Sequence, residues 1–377
     1  MDDFYIKVRS DLHKIPEIAF SEHKTATYIR NFLNKLGIKY VEIGTSTLAI
    51  FKGKEDVWVG FRADIDALPI TELGDKEYKS QHRGMMHACG HDGHTTNLLY
   101  TAKWLQEQIK NGKTLKKSVM LIFQAAEEGR GGAQLIAQSE FFKVKKFEGL
   151  FALHVAPDIE EGKIGCICGP ISFQNINFDI TIVGKGTHGA QPHKGIDSIY
   201  IGAKLIEAYQ LLVAREIDPI EPMVLTIGSF KAGEVRNVIP ERVEILGTIR
   251  FANTGLIGFL KRRVEEINAG FEKAYGIKIE MIFKAFYPPV VNEKKFFDIL
   301  KEIVPKEKFV DNSRLTGSED FSFYLQEGNE GLLFLLGIKT EKFNSALHTP
   351  TFDMDPRALE LGFEIFRKIM LKLEVLK

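Results

Sequence analysis

Val57-Trp58-Val59-Gly60-Phe61 runs directly into Arg62-Ala63-Asp64-Ile65-Asp66-Ala67-Leu68-Pro69, and this stretch decides the fold prediction. The apolar run has no polar alternation, so it predicts a strand that is buried on both faces. Pro69 then ends the regular structure. Asp64 and Asp66 therefore stand just beyond a buried strand, where open α/β sheets place functional side chains.

Other parts of the chain have the same unbroken apolar pattern and predict the rest of this sheet. Buried strands separated by helices favour an α/β fold whose central sheet is mostly parallel and covered on both faces. The further strands are predicted at Val119–Phe123, Gly149–Val155 and Gly331–Gly337. The helices are predicted from a cap at Ser21 to about Lys35 with Gly37 ending it, at Thr95–Ile109, and from about Pro356 to Leu373.

The segment between about Gln174 and Pro289 has a different pattern. Asn177–Val183 alternates polar and apolar residues, which predicts a strand with one solvated face. Two helices and three more strands follow it, so this segment is predicted to be an α+β unit. We therefore predict a discontinuous α/β catalytic domain of residues 1–174 and 288–377. An inserted α+β lid or dimerisation domain is predicted to span residues 175–287.

Composition narrows the classes of protein that this chain can be. A length of 377 residues predicts two domains, and 44% hydrophobic with 27% charged residues is typical of a globular protein. The 50 basic and 50 acidic residues cancel, which argues against nucleic acid or an anionic membrane as the main partner. No apolar run reaches the ~18 residues of a membrane span. Three cysteines and no apolar leader favour a cytoplasmic protein.

A second motif, Met86-His87-Ala88-Cys89-Gly90-His91-Asp92-Gly93-His94, concentrates side chains that bind transition metals. Further candidates follow predicted strands: Glu127-Glu128 come after one and His154 ends another. His348 lies near the C-terminus. Because the carboxyl ends of parallel strands meet at one edge of a sheet, these side chains could converge there.

Each of these residues also has an ordinary structural interpretation. A lone histidine such as His154 is more often a core residue, and adjacent glutamates are usually solvated. However, Glu127-Glu128 directly follow a buried strand, where two carboxylates are costly unless they are paired or bind metal. A hydrolytic two-metal site needs several ligands and a general base. Of two adjacent glutamates, one can bind metal while the other accepts a proton.

Seven blocks in one order give the chain a resemblance to a known family. It resembles the M20 metallopeptidase family, and more narrowly its amidohydrolase branch of aminoacylases, hippurate hydrolases, auxin-conjugate hydrolases and N-acetyldiaminopimelate deacetylases. The chain departs from the branch by Ala125 in place of a proline, and by Thr187 and Gly189 around His188. The blocks are Arg62–Pro69, Met86–His94, Phe123–Gly129, Gly184–Ala190 with Pro192-His193, Asn237–Pro240, Gly317–Phe321 and Leu347–Pro350.

The resemblance implies a role for each matching residue. Glu127 matches the family's general base. Asp64 and Asp66 match an acidic motif that orients a metal-binding histidine, and we favour Asp66 for that role, with Asp64 as the alternative. The positions that match the family's metal ligands are Cys89, His91, Glu128, His154 and His348.

Residues of the predicted inserted domain are implied as well. His188 matches a histidine that stabilises the developing oxyanion, in some members from the partner subunit. Arg250 and Asn237 are weaker candidates for binding the substrate carboxylate, since arginine suits bidentate recognition. The resemblance also implies a homodimer formed through the inserted domain.

We therefore predict a metallo-amidohydrolase with two divalent ions per subunit, drawn from zinc, manganese, cobalt and nickel. The substrate is predicted to be an N-acyl amino acid or short peptide with a free carboxylate. Alternatives within this reaction class are N-acetyldiaminopimelate deacetylase and metal-dependent carboxypeptidase. Two alternatives lie outside this reaction class. One is a non-catalytic metal-binding protein, and the other is an enzyme that uses Cys89 as a redox or nucleophilic group.

Overall fold

The computed structural model describes residues 3–315, 317–326 and 328–377. The chain forms two compact units. The first combines residues 3–171, Val290–Leu315 and Glu319–Lys377, and the second combines Ser172–Pro289 with residues 317–318. Apart from that short return, the chain passes between the units at 171–172 and 289–290, where we predicted 174–175 and 287–288. Their roles as catalytic domain and as lid or dimerisation domain stay predictions.

The first part of the chain alternates helices and strands. Its helices are α1 (Phe4–His13), α2 (His23–Leu36), α3 (His91–Lys110), α4 (Glu127–Arg130), α5 (Gly132–Gln138) and α6 (Glu140–Lys143). Its strands are β1 (Lys39–Ile43), β2 (Ser46–Phe51), β3 (Trp58–Asp64), β4 (Ser118–Gln124), β5 (Phe147–Glu160), β6 (Ile164–Cys166) and β7 (Gly169–Pro170).

The second unit is an α+β unit. Its elements are β8 (Gln174–Val183), β9 (Thr187–His188), α7 (Ser198–Glu216), β10 (Met223–Ala232), β11 (Val238–Ile239), β12 (Arg242–Phe251), α8 (Leu256–Tyr275) and β13 (Lys278–Tyr287). Its antiparallel sheet has the order β10-β12-β8-β13. Along β12 the apolar residues Val243, Ile245 and Ile249 are buried while alternate residues are not, as expected for a sheet with one covered face.

The last part of the chain completes the first unit. The added elements are β14 (Val291–Asn292), α9 (Lys294–Ile303), β15 (Phe309–Asp311), β16 (Gly331–Lys339) and α10 (Leu359–Lys372). Within the described residues the sheet of this unit has eight strands, in the order β1-β2-β4-β3-β5-β16-β6-β15. The central strands β4, β3, β5 and β16 run parallel, which confirms the predicted α/β fold.

Burial explains why these strands form the centre of the fold. Every residue of β3 and β4 is buried, as their unbroken apolar sequence predicts. Helix α2 ends at Gly37, whose φ of 74° lies in the left-handed region. The predicted cap at Ser21 is wrong: α2 begins at His23, and Glu22 is the preceding residue. Among the described residues, no helix is long and apolar enough to span a membrane.

Candidate metal centre

The first unit brings all five predicted ligand residues together. Cys89 lies in the loop before α3, and His91 is the first residue of that helix. The Sγ atom of Cys89 lies 3.5 Å from Nε2 of His154 on β5 and 3.3 Å from Nε2 of His348. The same nitrogen of His348 lies 3.3 Å from Oε1 of Glu128.

These side chains form two groups that share one residue. Cys89, His91 and His154 have ligand atoms within 4.8 Å of one another, and so do Cys89, Glu128 and His348. A sulfur, an imidazole and a carboxylate are a donor set for zinc and related divalent ions. Cys89 belongs to both of these groups.

The hydrogen bonds of the histidines fit metal binding. Nε2 of His91 is buried and has no hydrogen bond to any of the described residues, and its contact with a carboxylate oxygen of Asp64 is 3.5 Å long. Nδ1 of His154 donates to the carbonyl oxygen of Val155 at 2.8 Å, so its Nε2 is left to face Cys89. A histidine whose outer N–H is held by an oxygen is common in metal sites. A buried nitrogen without a partner is costly, which a metal ion would relieve.

Asp66, rather than Asp64, contacts the outer nitrogen of His91. Nδ1 of His91 lies 2.9 Å from the carbonyl oxygen of Asp66 and 3.2 Å from its Oδ1. The other carboxylate oxygen, Oδ2, accepts the backbone N–H of Glu128 at 3.0 Å. Asp66 therefore holds two candidate ligand residues at once. Asp64 instead contacts Nδ1 of His94 at 2.6 Å.

The remaining polar residues of the Met86–His94 motif are buried around this centre. Burial lowers the pKa of His87 to about 3, so its ring is neutral. Asp92 pairs with Arg9 at 3.1 Å and with His13 at 2.7 Å. These two cations lower the pKa of Asp92 although burial opposes them. The ion pairs of Asp92 are thus made with side chains of α1 and not with Cys89.

Glu127 is buried beside other carboxylates. Burial, followed by the negative charges of Glu319 and Glu128, raises the pKa of Glu127 well above its usual range. Glu127, Glu319 and Asp320 have carboxylate oxygens within 4.8 Å of one another. A carboxyl group with a raised pKa is suited to accept and return a proton near neutral pH.

Sequence reasoning missed the cation that balances these carboxylates. Nη1 of Arg62 lies 2.8 Å from Asp64, and Nη2 lies 2.9 Å from Asp320 and 3.1 Å from Glu319. All four residues are buried. The signal was available, because Arg62 opens the acidic motif and Glu319-Asp320 lie within the Gly317–Phe321 block. A buried ion network of this kind fixes side-chain positions more than it adds stability.

The candidates of the second unit do not all lie together. His188 pairs with Val238 between β9 and β11, and the carbonyl oxygen of Asn237 accepts the N–H of Gly189 at 2.8 Å. Arg250 lies opposite Asn175, near the last residue of β12. Arg242, the first residue of β12, pairs with Val183 at the other end, from which the chain continues into β9. Roughly 27 Å of strand separates Arg242 from Arg250. The structure therefore does not bring Arg250 together with Asn237 within this unit.

Comparisons with known proteins agree with this geometry. A model of peptidase family M20/M25/M40 matches residues 60–372, and the chain belongs to this family. It is a metal-dependent amidohydrolase. The N-acetyldiaminopimelate deacetylases of Priestia megaterium and Listeria welshimeri are each 34% identical to it, over 97% and 96% of this chain and 96% and 97% of their own. The Bacillus subtilis YXEP protein, a dinuclear metal binding peptidase from the M20 family, has a TM-score of 0.85 and 29% identity, with 99% of both chains covered.

Proposed function

We propose that this enzyme removes the acyl group from an N-acyl amino acid that carries a free carboxylate. N-acetyldiaminopimelate is the first substrate to test, because two relatives at 34% identity over nearly the whole chain are deacetylases of that compound. Other N-acyl amino acids are the second candidate class, since they present the same amide and carboxylate. The observation that carries the reaction is the buried Glu127 next to the Cys89, Glu128 and His348 group.

We propose that Cys89, His91, Glu128, His154 and His348 hold two divalent ions. When bound, such ions polarise the amide carbonyl and lower the pKa of water toward ~7. Sulfur and imidazole ligands favour zinc or cobalt, imidazole also suits nickel, and the carboxylate admits manganese.

Glu127 is the proposed general base. Its carboxylate accepts a proton from the attacking water and delivers that proton to the leaving amine. Asp66 keeps His91 and the backbone of Glu128 in place during this step. Arg62 limits the repulsion among Glu319, Asp320 and Asp64, so the carboxylates beside Glu127 stay fixed.

Roles for the second unit rest on the family resemblance. His188, from the same or the partner subunit, is proposed to donate a hydrogen bond to the developing oxyanion. Asn237 or Arg250 is proposed to bind the substrate carboxylate, and the unit is proposed to form a homodimer contact. A cytoplasmic location also stays a proposal, based on three cysteines that are all free.

The test is turnover of a substrate panel by the metal-loaded protein. The panel contains N-acetyldiaminopimelate, other N-acetyl amino acids, benzoylglycine and dipeptides, each scored by release of the free amine. Glu127→Gln should lower kcat by about 10²–10⁴-fold and leave bound metal unchanged. Glu140→Gln, at an exposed glutamate of α6, is the control and should keep full activity.

Chelation separates the alternatives. A metal-dependent hydrolase loses activity to a chelator and recovers it when metal is restored. A non-catalytic binding protein takes up metal without turnover of any panel member. An enzyme that used Cys89 as a nucleophile would resist chelation and be inactivated by alkylation. Wild-type activity in Glu127→Gln would contradict the assignment of the general base.

A further inference from the structure

The turn that presents Glu127 and Glu128 begins with a strained residue. Ala126 has φ 58° and ψ 45°, in the left-handed region that residues with a side chain rarely adopt. This residue directly precedes the two glutamates. A conformation of this kind persists only when its surroundings hold it, and such positions cluster at active sites.

Glu22, which is 104 residues earlier in the chain, holds this residue. Its Oε1 accepts the backbone N–H of Ala126 at 2.9 Å. The same oxygen accepts the N–H of Phe20 at 2.9 Å, and Phe20 is another left-handed residue, with φ 64°. Oε2 accepts the hydroxyl of Thr45 at 2.6 Å. One carboxylate therefore stabilises two left-handed residues and is itself fixed by a hydroxyl.

The buried position of the Glu22 carboxylate costs free energy. The residue is 0% exposed, and within the described ranges no lysine, arginine or histidine forms an ion pair with it. Burying a carboxylate without a cation is unfavourable. Its three partners are all hydrogen-bond donors, so the position requires an acceptor rather than a charge.

Two other side chains hold the same turn. Oγ of Ser46 accepts the N–H of Ala125 at 3.0 Å, and Oδ2 of Asp66 accepts the N–H of Glu128 at 3.0 Å. The backbone on both sides of the glutamate pair is thus fixed by side chains. Among these contacts, the one from Glu22 acts on the strained residue itself.

We propose that Glu22 is a positioning residue for the Glu127-Glu128 pair. It keeps Ala126 in the left-handed conformation, and this conformation directs the following two carboxylates to their places in the centre. The proposal rests on the proposed roles of Glu127 as general base and Glu128 as metal ligand. Glu22 acts in this proposal only through the backbone of Ala126.

The experiment compares Glu22→Ala with Glu22→Gln. Alanine removes the acceptor, whereas the carbonyl oxygen of glutamine can still accept both N–H groups, and its NH₂ can donate to the hydroxyl of Thr45. The matched control is Glu17→Ala. Glu17 is another buried carboxylate of the same segment, but it accepts the N–H groups of Lys24 and Thr25 at 2.8 Å and 3.0 Å and not those of the turn.

We expect Glu22→Ala to lower kcat by about 10–100-fold and metal affinity by about 10-fold, with KM changed less than about threefold. Glu22→Gln should retain kcat and metal affinity within about threefold. Glu17→Ala should lower Tm, yet keep kcat per folded molecule within about threefold. The proposal is overturned if Glu22→Ala behaves like Glu17→Ala, or if Glu22→Gln is as defective as Glu22→Ala.

A second variant covers the case in which Glu22→Ala does not fold. Thr45→Val removes the hydroxyl that fixes Oε2, and it should lower kcat by about 3–10-fold, while an unchanged kcat would overturn the proposal.

Metal affinity separates this proposal from the proposed function. If wild-type protein hydrolysed no acyl amino acid, the proposed function would fail, and zinc titration of Glu22→Ala against Glu17→Ala would still decide the role of Glu22.

Discussion

The backbone N–H of Val155 donates a hydrogen bond to Nε2 of His94 at 3.0 Å. The lone pair that His94 would need to bind a metal ion is therefore already used, and its Nδ1 faces Asp64 at 2.6 Å. His91, three residues earlier, has a buried Nε2 that forms no hydrogen bond within the part of the chain that the structure describes. Two histidines on one turn of α3 thus have different chemistry because of what their ring nitrogens contact.

This difference predicts unequal effects on metal content. His91→Ala should remove a ligand and lower the metal retained after dialysis by at least half. His94→Ala should keep the stoichiometry and weaken affinity by about 10–100-fold, because it removes only a supporting contact. Metal analysis of the dialysed proteins measures the stoichiometry, and zinc titration measures the affinity. Equal losses of bound metal in the two variants would show that His94 is a ligand as well.

Asp66 should matter for both metal binding and catalysis. Its carboxylate accepts hydrogen bonds from Nδ1 of His91 and from the backbone N–H of Glu128, so Asp66→Ala frees two candidate ligands at once. We expect metal affinity to fall by about 10–100-fold and kcat to fall with it. Titration with zinc and steady-state kinetics measure the two effects. Asp75→Ala, at an exposed aspartate of the following loop, is the control and should change neither.

Gly90 should tolerate no side chain. Its φ is 84°, and an added Cβ would lie 2.5 Å from Cγ2 of the buried Val155. We expect Gly90→Ala to destabilise the protein by roughly 2–4 kcal/mol and to weaken metal binding, because the turn between Cys89 and His91 must move. Thermal unfolding and zinc titration measure these effects.

Gly112 provides the matched control for this substitution. Its φ of 88° is similar, but no atom of the residues described lies within 4 Å of an added Cβ. Gly112→Ala should therefore lose only about 1–2 kcal/mol from the left-handed backbone and bind metal normally. A loss of metal binding in both variants would mean that the steric contact with Val155 is not the cause.

The sequence predicted the central strands well because burial on both faces leaves an unbroken apolar run. It predicted the start of α3 poorly, at Thr95 rather than His91. The first turn of α3 carries polar residues that are nonetheless buried, and hydrophobic periodicity cannot detect a buried polar helix end. Their partners, such as Asp64 and Asp66, lie at the carboxyl end of β3. Only the folded chain brings these groups together.

The candidate site follows the same rule. Cysteine, histidine and paired glutamates are distinctive in sequence, so the ligand candidates could be named. Glu22 could not, because it follows Ser21, a better helix cap by residue type, and resembles an ordinary surface glutamate. Its hydrogen bond to Ala126 joins residues that are far apart in sequence. The distance between Arg250 and Asn237 likewise depends on strand register, which spacing does not give.

The network around His13 predicts how stability depends on pH. Burial opposes ionisation of Glu72, but the hydrogen bond from Nε2 of His13 at 3.1 Å and that from the N–H of Ser80 at 2.7 Å outweigh it. They lower the pKa of Glu72 to about 2 from 4.5. A carboxyl group whose pKa is lower in the folded state stabilises the fold above its unfolded pKa. This contribution is lost as the pH falls from about 4.5 to about 2.

Glu72→Gln should therefore be less stable than wild type at neutral pH, and the gap should narrow in acid. We expect a difference in unfolding free energy of about 1–2 kcal/mol at about pH 6, reduced because solvent screens part of the interaction. At about pH 3 most of this difference should be gone. Urea unfolding of both proteins at each pH measures the change, and metal loss in acid cancels because it affects both. Glu77→Gln, at an exposed glutamate nearby, should show no such narrowing. A gap that stays constant with pH would mean that Glu72 acts through packing and not through its charge.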